Sequence, residues 1–311
     1  MSNQPLPIDR NVDWGSSIPF LLMHVSLVSL FWVGFSWAAL GIAVFFYLVR
    51  MFAITGFYHR YFSHKTFKTS RWFQFVMGVA GSSAVQKGPI WWAAHHRHHH
   101  AHSDDEHDVH SPRRLGFWMS HVGWVMTNES ADPPSRYVKD LRRYPELGFI
   151  DRFYLIVPVL FGAFVLGLGF LIERFLPSWG TTAGQVFVWG FLVSTIALYH
   201  GTYTINSLSH KFGRQRFKTG DDSRNNFWLA LLTLGEGWHN NHHFYPGSTR
   251  QGFYWWEIDL AYYGLRVLAL CGLIRELNPV PARVKALGRA GNGERAESPV
   301  GADIERARTE A

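Results

Sequence analysis

The chain has 311 residues, enough for one large domain or two ordinary ones, with 14 tryptophans, 16% aromatic and only 17% charged residues. An average soluble domain is about 25% charged, so the composition argues against a surface wholly in water and for a chain partly in lipid. The net charge of +7 suits anionic head groups or an anionic substrate. No nucleic-acid-binding motif accompanies it, and a single cysteine, Cys271, excludes an internal disulfide and a thiolate metal cluster.

In chain order, the opening MSNQPLPIDRNVDWG lacks the basic start and short apolar core of a signal peptide. From Gly15 to Val49 there is no Asp, Glu, Lys or Arg, and the apolar character continues past Arg50 to Tyr58. A hydrocarbon core about 30 Å thick needs roughly 20 helical residues. The stretch therefore predicts two spans, 17–36 and 38–57, with a tight turn near Ser36. A second pair is predicted at 153–172 and 186–206, separated by a polar turn, Glu173 to Gly184, that holds Pro177 and Gly180. The segment between the pairs and the chain after Lys211 are rich in Lys and Arg, whereas the Glu173–Gly184 turn has only Arg174. By the positive-inside rule both polar regions and both termini face the cytoplasm. The expected architecture is thus an all-α integral membrane protein: four transmembrane helices in two hairpins, with a cytoplasmic helical cap. One membrane domain, 1–278, is followed by a charged, Gly/Ala-rich tail, 279–311, that reads as disordered.

Histidine is concentrated in three places. HRYFSH carries His59 and His64 just after the second span. HHRHHH follows Pro89, Trp91 and Trp92, and EGWHNNHH ends in His239, His242 and His243. At about 100° per helical residue, His96, His99 and His100 fall within one arc, as do His239, His242 and His243. His95, His98 and His102 point elsewhere. His59 and His64, five apart, are too far round a regular helix for one ion, so they straddle a helix end or serve different metals. His24, His121 and His200 read as surface or satisfied core residues, and His102, His107 and His110 as a polar loop beside Asp104, Asp105 and Glu106. Neutral imidazole suits zinc, copper, iron and nickel. Eight histidines exceed one tetrahedral zinc site and fit two ions, for which iron is the natural candidate in oxygen chemistry on a lipid chain.

These motifs resemble the membrane-bound fatty acid desaturases of the stearoyl-CoA Δ9 type, in order from about Ile18 to Pro246. The matching elements are H-x-x-x-x-H, H-x-x-H-H and EGWHNNHHFYP, with TINSLSH similar to the family's N-S-x-x-H segment. The resemblance implies nine iron ligands: His59, His64, His96, His99, His100, His210, His239, His242 and His243. It also implies that Asn206 reaches a metal through water. The expected cofactor is a di-iron centre, with O2 as co-substrate, that takes hydrogens from two neighbouring methylenes to leave a cis double bond. An unactivated methylene offers no chemical handle, so the position must be set by geometry, for which an apolar tunnel serves. Trp91, Trp92, Trp118, Trp124 and Trp238 are candidates for its wall. Arg113 and Arg114, in a segment similar to the family's, are candidates for the head group of an acyl-CoA or phospholipid, with Arg136, Lys139, Arg142 and Arg143 nearby. Acyl-CoA members of eukaryotes place an aspartate just before the second box; here the residue is His95. No fused cytochrome b5 domain is expected, so electrons come from a separate carrier: ferredoxin, rubredoxin, or cytochrome b5 with its reductase. The expected setting is a bacterial inner membrane. A di-iron hydroxylase of lipid or alkane chains is the rival reading, and a histidine-rich metal transporter the more distant one. Transporters place polar ligands inside their spans, whereas these boxes lie at or beyond the ends of the apolar segments.

Overall fold

The computed structural model describes residues 10–131 and 135–290. Four helices are long and apolar enough to cross a membrane: α1 (Trp14–Val33), α2 (Trp37–Ser63), α6 (Ile156–Phe175) and α7 (Ala183–His210). Around them lie α3 (Arg71–Ser82), α4 (Pro89–His102), α5 (Pro145–Arg152), α8 (Phe227–Leu232), α9 (His239–Phe244), α10 (Leu260–Leu270) and α11 (Ala282–Ala290). A two-residue antiparallel pair, Lys68–Thr69 with Ile274–Arg275, is the one strand pairing in the described residues.

Local sequence explains where the long helices begin. The Asp13 carboxylate accepts the N–H groups of Gly15 and Ser16 at the head of α1, and Ser36 caps α2. Thr182 and Gln185 form a reciprocal capping box at α7, while Glu173 on α6 accepts the Ala183 N–H at 2.9 Å. The turn expected near Ser36 is present: Gly34, at φ +69, ends α1.

Two helices are longer than the sequence pattern suggested. α2 has 27 residues and α7 has 28. At 1.5 Å per residue a helix needs only about 20 residues for the hydrocarbon, so α2 and α7 each exceed that length, and His59 and His210 lie in the excess at their far ends. The end of α2 is a π-helix, Ala53–Ser63. A one-face hydropathy pattern does not anticipate that winding.

The bundle is held by close approach and one buried cation. α6 packs on α7 at Gly169, where a Cβ would sit 2.9 Å from the Ala183 backbone, the small-residue contact that lets membrane helices touch. Gly81 of α3 similarly lies flat under the Tyr58 ring of α2. Arg50 of α2 is 1% exposed. Its guanidinium donates to Thr195 and Ser194 of α7 and to the Ser83 carbonyl, and lies 4.8 Å from the Phe161 ring centroid. A charge at this depth is tolerated because it faces the bundle interior with its donors engaged.

The tail reading is corrected in its first part. Val280 and Val284 are buried with Phe217, Phe253 and Tyr254, and the Tyr254 hydroxyl donates to the Lys285 carbonyl at 2.8 Å. Val280, Val284 and Leu287 recur at helical spacing, a pattern masked by the surrounding Gly, Ala and charge. Residues 291–311 lie outside the described residues.

Candidate metal centre

All nine histidines implied by the three boxes and TINSLSH meet at one end of the bundle, in two groups. His59, His64, His96, His100 and His242 offer nitrogens within 4.8 Å of one another, as do His99, His210, His239 and His243. The face shared by His96, His99 and His100 on α4 is thus divided, with two imidazoles in the first group and one in the second.

The π-helix resolves the spacing of the first box. A π-turn advances roughly 80° per residue rather than 100°, which brings positions i and i+5 to the same side. The His64 N–H bonds to the His59 carbonyl at 3.2 Å, and the two rings lie 5.0 Å apart. Of the two expected arrangements the structure has the first: His59 lies within the helix and His64 just past its end at Ser63, and both belong to the five-histidine group rather than to different ones.

Arg97, the interruption in HHRHHH, has a separate task. It donates to the carbonyls of Phe62, Ser63 and Tyr137 and to Asp140. In this way it ties the end of the π-helix to α4. The other histidines of the run are spoken for: His95 Nε2 meets the Ser130 carbonyl at 3.0 Å and His98 Nε2 the His107 carbonyl at 3.0 Å. His102 pairs with Asp105. His24, His200 and His121 form their own hydrogen-bonded series away from the centre, ending on Ser207.

Four carboxylates back the imidazoles. Glu236 faces His59 Nδ1, Asp104 faces His210 Nδ1, Asp221 faces His243 Nδ1 and Asp108 faces His99 Nδ1. Burial alone would raise the acids, but the facing histidines hold Asp104, Asp108, Asp221 and Glu236 below the usual carboxylate range. A carboxylate on Nδ1 keeps the proton there and aims the Nε2 lone pair inward. The sequence reading missed this backing. Glu236 stands inside EGWHNNHH and was visible; Asp221 lies 22 residues before His243 and carries no local signal.

The donor set fits metal ions and little else. His242 Nε2 lies 2.9 Å from both His59 Nε2 and His100 Nε2, and His64 Nε2 lies 2.8 Å from His96 Nε2. His210 and His239 approach at 3.1 Å. His243 Nε2 is buried with no hydrogen-bond partner. Burial, then the neighbouring imidazoles, holds His64, His96, His100, His239 and His242 well below the ordinary histidine pKa. Converging neutral rings cannot all donate to one another, but a cation satisfies them together. With a metal–nitrogen bond of about 2.1 Å, ligands at right angles lie about 3.0 Å apart and tetrahedral ones about 3.4 Å. The observed spacings match the former, and five donors exceed a tetrahedral site.

An apolar cavity of about 600 Å³ opens beside the centre. Trp91, Trp92 and Trp124 line it, together with His96 and Asn206. A smaller cavity of about 50 Å³ lies under both histidine groups, sharing Trp92, His96, His110, Thr202 and Asn206 with the first. Trp118 is 74% exposed, and Trp238 donates to the Ile258 carbonyl; neither lines these cavities. Nor do Arg113 and Arg114. Arg113 forms a two-pronged pair with Asp222 at 2.8 and 2.6 Å.

The fatty acid desaturase family model matches residues 35–270. The chain belongs to the fatty acid desaturase family. It is 36% identical to the sn-1 stearoyl-lipid 9-desaturase of Anabaena variabilis, over 84% of this chain and 92% of that protein. It is 38% identical to delta-9 acyl-lipid desaturase 2 of Arabidopsis thaliana, over 84% of this chain and 81% of that one. An acyl-CoA 5-desaturase of Anemone leveillei is 34% identical over 80% of this chain and 74% of its own length. This desaturase is an integral membrane oxidoreductase acting on fatty acyl chains.

Proposed function

We propose that this desaturase introduces a cis double bond at the Δ9 position of a saturated acyl chain esterified in a membrane lipid, using two iron ions and O2. The observation that carries the reading is that His96, one of the five-histidine group, also lines the acyl-sized cavity, and that Asn206 lines both that cavity and the smaller one under the histidines. A cavity of about 600 Å³ is within the usual range for a bound organic ligand, and its apolar wall suits a methylene chain. Relatives named for stearoyl-lipid and acyl-lipid substrates support the lipid-bound form over coenzyme A.

His59, His64, His96, His100 and His242 would hold one iron, and His99, His210, His239 and His243 the other, with Asn206 reaching a metal through water. When bound, the pair of irons supplies the two-electron activation of O2 that removes hydrogens from an unactivated chain. The overall balance is one –CH2–CH2– unit, O2, two electrons and two protons giving –CH=CH– and two waters. The protein's own part is positional. Trp91, Trp92 and Trp124 keep water from the chain, Thr202 and Asn206 narrow the passage below the centre, and the four carboxylates fix ring orientation. Electrons reach the centre from a separate carrier protein on the cytoplasmic face, the side that the positive-inside rule favours for the Lys- and Arg-rich regions.

The test is fatty-acid methyl-ester analysis, with double-bond location, in a host lacking its own desaturase and supplied with a compatible electron donor. A new Δ9 cis-monounsaturated acid in the membrane-lipid fraction is expected. A hydroxylated acid, or no product from an iron-loaded protein, overturns the reading.

A further inference from the structure

The large cavity has one cationic lining residue, Lys87. It sits in the loop between α3 and α4, where Val85 and Lys87 both take left-handed backbone angles, φ +61 and +59. Residues other than glycine hold that conformation only where their surroundings enforce it. Here the enforcement is visible. The Tyr199 hydroxyl donates to the Val85 carbonyl at 2.8 Å, the Tyr58 hydroxyl to the Lys87 carbonyl at 3.3 Å, and Gln86 is clamped between Thr202 and Trp92.

The ammonium so placed forms no salt bridge among the described residues; Nζ lies 4.7 Å from the centroid of the Trp91 ring. Burial lowers its pKa, an effect that Asp13 and Asp151 oppose. Both of those carboxylates are committed elsewhere. Asp13 caps the N–H groups of Gly15 and Ser16, and Asp151 those of Ile90 and Trp91. A half-buried cation in the wall of an apolar cavity, with no carboxylate in ion-pair contact among the described residues, has room for oxygen acceptors from a ligand.

The position says which ligand. Lys87 lines the cavity together with Ser16 in the first turn of α1 and Tyr154 just before α6, and span ends of this kind are where lipid head groups are met. Below it, Leu22 of α1 and Val159 of α6 line the cavity while remaining 62% and 67% exposed. The cavity is therefore open sideways, between two helices whose outer faces are apolar. A chain entering this way never leaves the hydrocarbon, whereas drawing it through water costs about 0.8 kcal/mol for each exposed methylene.

We propose that Lys87 is the head-group residue of this desaturase: its ammonium binds the ester and phosphate oxygens of a membrane glycerolipid whose acyl chain enters sideways between α1 and α6. This rests on the desaturase reading above and assigns the contact to a residue outside the histidine centre and away from Arg113 and Arg114.

The test compares wild type, Lys87→Met and Lys87→Arg, all iron-loaded, on stearoyl-phosphatidylglycerol in vesicles and on stearoyl-CoA. Binding of spin-labelled phosphatidylglycerol, iron content and melting temperature are followed in parallel. Lys87→Met should raise KM for the vesicle lipid about tenfold and weaken spin-label binding similarly. Its kcat should stay within twofold, with iron content and melting unchanged, and Lys87→Arg should restore most of the affinity. An unchanged KM in Lys87→Met, a KM effect confined to stearoyl-CoA, or a loss of iron and melting temperature in place of a KM effect overturns the proposal. Failure of the wild type to desaturate either substrate counts instead against the desaturase reading.

Discussion

His59 and His64 belong to one ion-sized cluster because the backbone between them is wound as a π-helix: the His64 N–H bonds to the His59 carbonyl five residues back. In an α-helix the two rings would diverge by roughly 140°. The first box is therefore a backbone device as much as a pair of side chains, and its i, i+5 spacing is the sequence trace of that winding.

From this follows a contrast within the histidines. His64→Ala and His242→Ala each remove a converging donor and should lower product formation by more than a hundredfold, with loss of bound metal. His98→Ala removes the bond to the His107 carbonyl and ring contacts with His102 and Tyr137 but no converging donor, and should keep most activity. Gas chromatography of methyl esters, beside metal analysis of the purified variants, checks both halves of the contrast.

The carboxylates behind the imidazoles make a second prediction. Glu236 faces His59 Nδ1 and also Arg60. Glu236→Gln leaves the ring without its anionic partner and should weaken metal retention by about 10- to 100-fold. Chelator titration of the loaded protein measures this. Retention equal to wild type would show that the carboxylate does not orient His59.

Arg97 gives a stability prediction with a pH signature. Arg97→Met leaves the Phe62, Ser63 and Tyr137 carbonyls without this donor and Asp140 with Lys65 alone, and should destabilise the fold by about 1–3 kcal/mol. Burial would raise the Asp140 carboxyl, but Arg97 and Lys65 together hold it below its ordinary value. A carboxyl depressed in the folded state contributes stability that is present above its unfolded pKa, about 3.9. That contribution is lost as pH falls through the folded value. The advantage of wild type over Asp140→Asn, of order 1 kcal/mol for this partly exposed pair, should hold from pH 8 to about 5 and shrink below about 4. Unfolding followed in detergent across that range tests the sign.

Much of the membrane fold could be read in advance because lipid imposes a simple rule: long uncharged runs are helices, and their ends carry charge or caps. The run 15–49 covers most of α1 and the first half of α2, 153–172 overlaps most of α6, and 185–210 lies within α7. The extensions of α2 and α7 beyond the hydrocarbon were not legible, since a helix that continues into a protein cap has no hydropathy limit. α11 was hidden by its Gly/Ala-rich setting. At the centre, all nine histidines were named by box spacing and resemblance, but their division into five and four depends on tertiary approach between α2, α4, α7 and α9. Lys87 carried no sequence signal at all. Its role depends on a left-handed turn and on a cavity assembled from distant helices.

The most direct test of the central claim, a two-ion histidine centre that desaturates the chain held beside it, is to count metal and product in one preparation. The purified wild type, loaded with iron and supplied with an electron donor and membrane lipid, should hold two irons per chain and form a cis-monounsaturated acid. His242→Ala should lose iron and product together. Full desaturation by a preparation holding one metal ion or none per chain, or full activity in His242→Ala, would contradict the account.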